Sequence, residues 1–407
     1  MMEQRRKYVF VVGDGMGDYP LEELNGKTPL EAAETPNMDR IASCHMGTVP
    51  TIPKGMEPGS DVANLCLMGY NPAKYHTGRA PLEAASIGVD LDLNDIAFRM
   101  NLVSIDKKDD GRVIMLSHSG GDISTPEARN IVKDLAAEFG KEGIRVFPGI
   151  AYRHLFVWHN APEGICTIAP HDYLERDVSG YLASQEAACI YPFIEKSWEI
   201  LKNHEVNVSR CNEGRLPANS IWLWGQGKKP SMPLFRDCFG LRGGMISAVD
   251  LLNGMGLYLG LELIHVEGAT GDIHTNFKGK GQEAIKALDR LDFIFVHVEA
   301  PDEAGHAGKI YEKIKAIEYV DNMVLGTILD GLDKFDDYRI MVASDHYTPI
   351  YMKTHSSDPS LFAMADKAEL KGSASEKSFN EKETTASGVS YNEGYLLLKD
   401  FLGVAGC

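Results

Sequence analysis

The chain has 407 residues, 44% hydrophobic and 24% charged, with a formal net charge of -17. That length can bury a large core and suits two domains, and the composition excludes a disordered or fibrous chain. So acidic a balance argues against nucleic acid or an anionic membrane as partner, and an anionic substrate would need cations concentrated locally.

Residues 8–12 are a short apolar, β-branched run ending in Gly-Asp-Gly, which predicts a buried strand that delivers Asp14 to a loop. The basic stretch 1–7 is followed by too short an apolar segment for a signal peptide. Thr35 as N-cap and Pro36 at the first helical position predict a helix to Ala42. Pro58-Gly59-Ser60-Asp61 predicts a turn, and 62–68 a helix, so Ser60 stands at or near a helix N-terminus. Between 86 and 216 the texture changes: strand-like runs at 113–116, 155–158 and 165–168 mix with helical stretches near 126–139 and 181–203. Residues 245–266 are apolar but contain Asp250, Asn253, Glu262 and His265, which predicts a buried helix running into a strand rather than a membrane span. Residues 293–298 predict a strand, 299–308 a loop, 310–332 a long helix, and 339–343 a strand ending in Ser344-Asp345-His346. The polar stretch 372–390 reads as a mobile surface loop, with a lid over the site as the alternative.

Strands alternating with helices predict an α/β fold with a mostly parallel central sheet flanked by helices. Residues 1–85 and 217–407 would form one discontinuous core domain, and 86–216 a smaller α/β domain inserted into it. In such sheets ligands collect beyond the carboxyl ends of the strands, and the acidic segments after 12, 298 and 343 all lie there. The seven cysteines form no Cys-x-x-Cys pair and read as free buried thiols of a reducing compartment, so a cytoplasmic protein is expected.

Asp14, Ser60, Asp302, His306, Asp345, His346 and His355 stand out. Singly, each has an ordinary reading: a turn aspartate, an N-cap serine, a loop histidine. Together they offer enough carboxylates and imidazoles for two divalent ions. Mixed Asp/His ligation suits Mn²⁺ or Zn²⁺ better than Mg²⁺, which prefers oxygen and water. Two such ions form a clamp for displacement at phosphorus. A serine at a helix N-terminus also gains backbone N–H groups for a transferred phosphate. Ser60 is therefore expected to be a covalent nucleophile, and ions would answer the charge problem.

The segments VVGDGMGD, PGSDVANL, DEAGH and SDH, with His355, resemble the alkaline phosphatase superfamily. Within it the chain is most similar to the cofactor-independent phosphoglycerate mutases of the archaeal type, through TPLEAAETPNMDRIA, GSDVANLCLMGYNP, GRAPLEAASIGVDL and HVEAPDEAGHAG. The resemblance implies an alkaline-phosphatase-like core and an inserted domain that holds the substrate. It implies one metal on Asp14, Ser60, Asp345 and His346, and a second on Asp302, His306 and His355. Ser60 would carry phosphate between the hydroxyls of 2- and 3-phosphoglycerate, a small phosphorylated metabolite. Candidate substrate contacts are Arg79, His118, Arg153 and His171. The resemblance also leads us to expect an arginine within ANSIWLWGQG, where Trp224 stands. That departure keeps open transfer to an amino-acid alcohol such as homoserine; a simple phosphomonoesterase is a third reading. The sulfatase pattern Cys-x-Pro-x-Arg is absent.

Overall fold

The computed structural model describes residues 6–162, 164–372, 377–404 and 406, and it divides into two compact units, Met1–His76 with Ser231–Cys407, and Thr77–Pro230. The chain thus passes between units after residues 76 and 230, not at the 85/86 and 216/217 junctions expected from composition. Helix Ala80–Ser86 and strand Ser220–Lys228 belong to the inserted unit because both pack on its longest strand, Asp95–Lys107.

The discontinuous unit is built on a seven-stranded sheet in the order 45–49, 360–366, 338–343, 7–13, 293–298, 243–246, 262–263. Strands Tyr338–Ala343, Lys7–Gly13, Phe293–Val298, Gly243–Ile246 and Glu262–Leu263 run parallel, while Ser360–Asp366 is antiparallel to both its neighbours. The central strands are continuous runs of Val, Ile and Phe because helices cover both faces and neither side meets water. Tyr338–Ala343, Lys7–Gly13 and Phe293–Val298 are adjacent and in one direction, so their carboxyl ends share one edge. That edge receives Asp345, Asp14 and Asp302.

Local structure departs from expectation in instructive places. Residues 299–308 are not a loop: Ala300–His306 is a helix with Pro301 in its first turn and Asp302 and Glu303 at its positive end. The 310–332 pattern is one helical run, but its middle, Val320–Leu325, is a π-helix. Buried Asp321 on that turn accepts from the backbone N–H of Met38 at 2.7 Å and of Asn37 at 3.2 Å. It caps helix Pro36–Ala42 in place of Thr35, whose side chain makes no cap hydrogen bond. The 245–266 segment splits into the end of one strand, helix Asp250–Tyr258, and strand Glu262–Leu263.

Residues 373–376 of the expected 372–390 loop lie outside the described residues. Its later part is anchored: Phe379 and Thr384 are buried, and Glu381–Ala386 is a helix. Among the described residues no helix is long and apolar enough to cross a membrane. Cys66 is a buried thiol as expected, but the thiols of Cys166, Cys189 and Cys211 are exposed on surface segments, and Cys238 is disulfide-bonded.

The inserted unit has an antiparallel five-stranded sheet. Asp95–Lys107 is its hub and pairs with Val113–Ser117, Arg153–His159 and Ser220–Lys228; Ile144–Phe147 completes it. Phe98, Met100 and Leu102 alternate along the hub into a core with helices Thr125–Phe139 and Tyr191–Leu201. The expected 165–168 strand is irregular backbone, and the expected 181–203 helix is Ser179–Leu182 and Tyr191–Leu201.

Candidate active site

Ser60 opens helix Ser60–Leu67 and is 7% exposed, with Oγ 3.2 Å from His346 Nε2. Around that nitrogen lie Asp345 Oδ2 at 3.3 Å and Asp14 Oδ1 at 3.4 Å. Asp345 is oriented by its neighbours. Its Oδ1 accepts from the N–H of Gly15 and of His346, and its Oδ2 accepts from Asn64 Nδ2 at 2.8 Å. Asn64 sits one turn after Ser60 and also donates to the Ser60 carbonyl, so one helix turn ties serine to aspartate.

Asp14 is fully buried. Its Oδ2 lies 2.9 Å from His297 Nε2, while its Oδ1 is buried with no hydrogen-bond partner. Burial drives the Asp14 carboxyl well above its ordinary range, and Asp345 adds to that. Burial likewise pushes His297 down to about 3, so His297 is a neutral ring whose Nε2–H donates to Asp14. Glu299, half-buried beside them, is pushed up to about 8 by desolvation and then by the Asp302 charge.

The second group gathers on helix Ala300–His306 and the 346–355 segment. His306 Nε2 lies 3.0 Å from His355 Nε2 and 3.3 Å from Asp302 Oδ2; His355 Nε2 is 3.5 Å from Asp302 Oδ1. Two carbonyls fix the tautomers: His306 Nδ1 is 2.9 Å from the Lys353 oxygen, and His355 Nδ1 is 3.3 Å from that of Pro58. A carbonyl only accepts, so each Nδ1 carries the proton and each neutral ring turns its Nε2 lone pair inward. Two facing lone pairs beside a carboxylate demand a cation. The same demand draws a proton to His306: burial opposes its charge, but Asp302 and the Lys353 carbonyl outweigh burial and push it up to about 9.

The structure therefore brings all seven expected residues together. Asp14, Asp345 and His346 form one candidate metal-binding group, and Asp302, His346 and His355 another, so His346 stands between them. The orphaned Asp14 oxygen and the inward lone pairs fit divalent cations bound by mixed oxygen and nitrogen donors.

In the inserted unit, a cationic cluster contains the four expected substrate contacts. The His118 ring is 5.6 Å from Tyr152 and 6.3 Å from His171, and His171 is 5.3 Å from Trp224. The Arg153 guanidinium lies 5.7 Å from the Tyr152 ring, and Arg79 Nε is 3.7 Å from Glu83. Sequence reasoning missed Arg99. It is buried on the hub strand, directly across from Trp224, with its guanidinium 4.1 Å over the indole and Nε 3.0 Å from Glu83. Arg99 thus brings a guanidinium against Trp224 from the paired strand. The signal was the single charge in IAFRMNLVSI, residues 96–105 of that strand. His297, inside FIFVHV, carried the same signal.

The family model for 2,3-bisphosphoglycerate-independent phosphoglycerate mutase matches residues 42–207, and that for type I phosphodiesterase / nucleotide pyrophosphatase matches 260–377. A probable 2,3-bisphosphoglycerate-independent phosphoglycerate mutase of Geobacter sulfurreducens is 44% identical over 398 residues, covering 97% of this chain and 99% of that one. A 2,3-bisphosphoglycerate-independent phosphoglycerate mutase of Methanothermobacter thermautotrophicus is 49% identical over 359 residues, 87% of each. Among solved structures, a Pyrococcus horikoshii protein superposes with a TM-score of 0.77 at 30% identity over 98% of both chains. A cofactor-independent phosphoglycerate mutase from Thermoplasma acidophilum shares the fold, with a TM-score of 0.62 at 23% identity over 98% of this chain and 100% of that one. Relatives at this identity, aligned over nearly the whole chain, show that it belongs to the 2,3-bisphosphoglycerate-independent phosphoglycerate mutase family.

Proposed function

We propose that the chain interconverts 2- and 3-phosphoglycerate, with Ser60 holding the phosphate between its two positions. The observation that carries this is the Ser60 hydroxyl, at a helix N-terminus and 3.2 Å from His346 Nε2, inside a ring of buried carboxylates. A nucleophile needs its proton removed and its attack directed. Ser60 Oγ faces the His346 Nε2 lone pair, which sets the direction of the oxygen, and an ion held by both would favour loss of the hydroxyl proton. The N-terminus of helix Ser60–Leu67 adds the positive end of its dipole, which favours a phosphate's negative charge there.

Asp14, Ser60, Asp345 and His346 would hold one divalent ion, and Asp302, His306 and His355 a second. Manganese or zinc suits three imidazoles among carboxylates better than magnesium. When bound, such ions supply positive charge for phosphoryl oxygens and for the serine oxygen. His297 and Asn64 act behind these ligands, fixing Asp14 and Asp345. The arginines and histidines of the inserted unit would bind the glycerate carboxylate, which a guanidinium fork matches in shape and charge. Holding the glycerate while its phosphate rests on Ser60 separates a mutase from a phosphatase. Homoserine as acceptor and simple hydrolysis are not favoured, since the relatives at 44–49% identity carry the mutase name.

The test is Ser60→Ala. Turnover of 3-phosphoglycerate should fall by at least roughly a thousandfold, as for loss of other serine nucleophiles, while metal content stays largely intact. Rapid quench of the parent enzyme with substrate should leave phosphate on a peptide containing Ser60. Normal turnover in the alanine variant would refute the assignment.

A further inference from the structure

Thr348 lies two residues beyond His346, is fully buried, and has a hydroxyl that touches both ligand groups. Oγ1 donates to Asp302 Oδ1 at 2.5 Å, a short, charge-assisted contact. It lies 3.2 Å from His346 Nδ1. A hydroxyl has one proton, and Asp302 takes it, so Oγ1 can only accept from His346. Nδ1 must then carry the imidazole proton, which leaves the Nε2 lone pair facing Ser60, Asp14 and Asp345.

The surroundings hold this hydroxyl in place. Gly15 has φ of 60°, and a Cβ there would stand 2.5 Å from Thr348 Oγ1. A Cβ on Gly305 would meet the Thr348 carbonyl at 2.6 Å, so both glycines permit the close approach. The fully buried Lys313 ammonium donates to the carbonyls of Thr348 and Gly17, at 2.9 and 3.1 Å, and to Asp18 at 2.8 Å. These contacts use all its protons and tie the segment after Asp14 to the segment after His346.

We propose that Thr348 is a positioning residue that couples the two metal-binding groups: one hydroxyl selects the His346 tautomer and fixes Asp302. The inference rests on the two-ion reading above. Thr348 does not touch the reacting phosphate; it acts through His346 and Asp302.

The full-length protein, stripped of metal, is compared with Thr348→Val, which keeps shape and loses the hydroxyl, and Thr348→Ser, which keeps the hydroxyl. Nitrogen NMR of the metal-free protein reads the His346 tautomer, and calorimetric titration with Mn²⁺ reads both dissociation constants. In the valine variant His346 should populate the Nε2–H form, and both constants should rise by about tenfold or more, the usual range for loss of a group behind a ligand. Serine should restore both properties. An unchanged tautomer, or weakening of one ion alone, would overturn the coupling. If the valine variant does not fold, Thr348→Cys keeps the volume with a poor donor and acceptor; it must show the same paired loss, and parent-like binding there overturns the proposal. A parent protein that takes up no second ion would instead sink the two-ion reading itself.

Discussion

Trp224 occupies a place where a guanidinium was expected, and Arg99 brings one against it from the paired strand. Arg99 pairs with Trp224 across two antiparallel strands and stacks on its ring, so strand register puts the charge where the side-chain order along the sequence did not. Burial lowers Arg99 to about 10, with Glu83 opposing, so the group keeps its charge at neutral pH. Arg99→Leu should raise KM for phosphoglycerate by about 10- to 100-fold, the worth of a hydrogen bond to a charged group. It should leave the quench-trapped Ser60 adduct detectable; steady-state kinetics with an unaltered KM would remove Arg99 from the substrate contacts. Glu381 gives a pH prediction. Burial pushes it up to about 7, although Thr28 Oγ1 and the Asp18 N–H hydrogen-bond to it. A carboxyl raised on folding contributes stability that is complete below its ordinary value and is lost as pH rises through the folded one. Metal-free protein should therefore lose stability between about pH 4.5 and 7 from this group, and Glu381→Gln should flatten that slope in urea melts. An identical slope in the variant would assign the pH dependence elsewhere.

At the scale of elements, the decisive one is a seven-residue helix, Ala300–His306, that carries Asp302 and His306 on one face. Residues 299–308 read as a loop, yet Pro301 and the acidic first turn are start signals that the segment contained. The glycine is there for packing. Gly305→Ala would gain about 1 kcal/mol in helix propensity, but its Cβ would press on a backbone carbonyl at 2.6 Å, which cannot rotate away. Overpacking of that kind costs about 1–3 kcal/mol, so the variant should be no more stable than the parent and should bind Mn²⁺ less tightly. Thermal melts with and without metal check both halves. The 377–390 segment shows the converse error. Its polar composition predicted a mobile loop, but buried Phe379 and a side-chain-capped helix, with Asn380 accepting from Glu383, anchor it.

At the scale of the molecule, each compact unit has its own hydrophobic core. The seven expected metal and nucleophile residues all lie in the discontinuous unit, and the cationic cluster lies wholly in the inserted one. Scanning calorimetry should therefore resolve two transitions. A chelator should lower only that of the discontinuous unit, because ligand at a hundred times its dissociation constant stabilises a fold by about 2.7 kcal/mol. Equal shifts of both transitions, or none, would contradict the placement of the ions.

The sequence by itself determined the fold class, the strands that lead to Asp14, Asp302 and Asp345, and which seven polar residues stand out along the chain. Period and composition are local properties, and strand-then-acid repeats can be read along a chain. The tertiary structure alone decided that three of those strands are neighbours, which is what gathers residues 14 to 355 at one sheet edge. It alone decided the parts of Thr348, His297, Asn64 and Arg99. Their roles are set by which proton a hydroxyl or a ring has to give, and by strand register. Both depend on partners tens to hundreds of positions away, which no window of sequence contains.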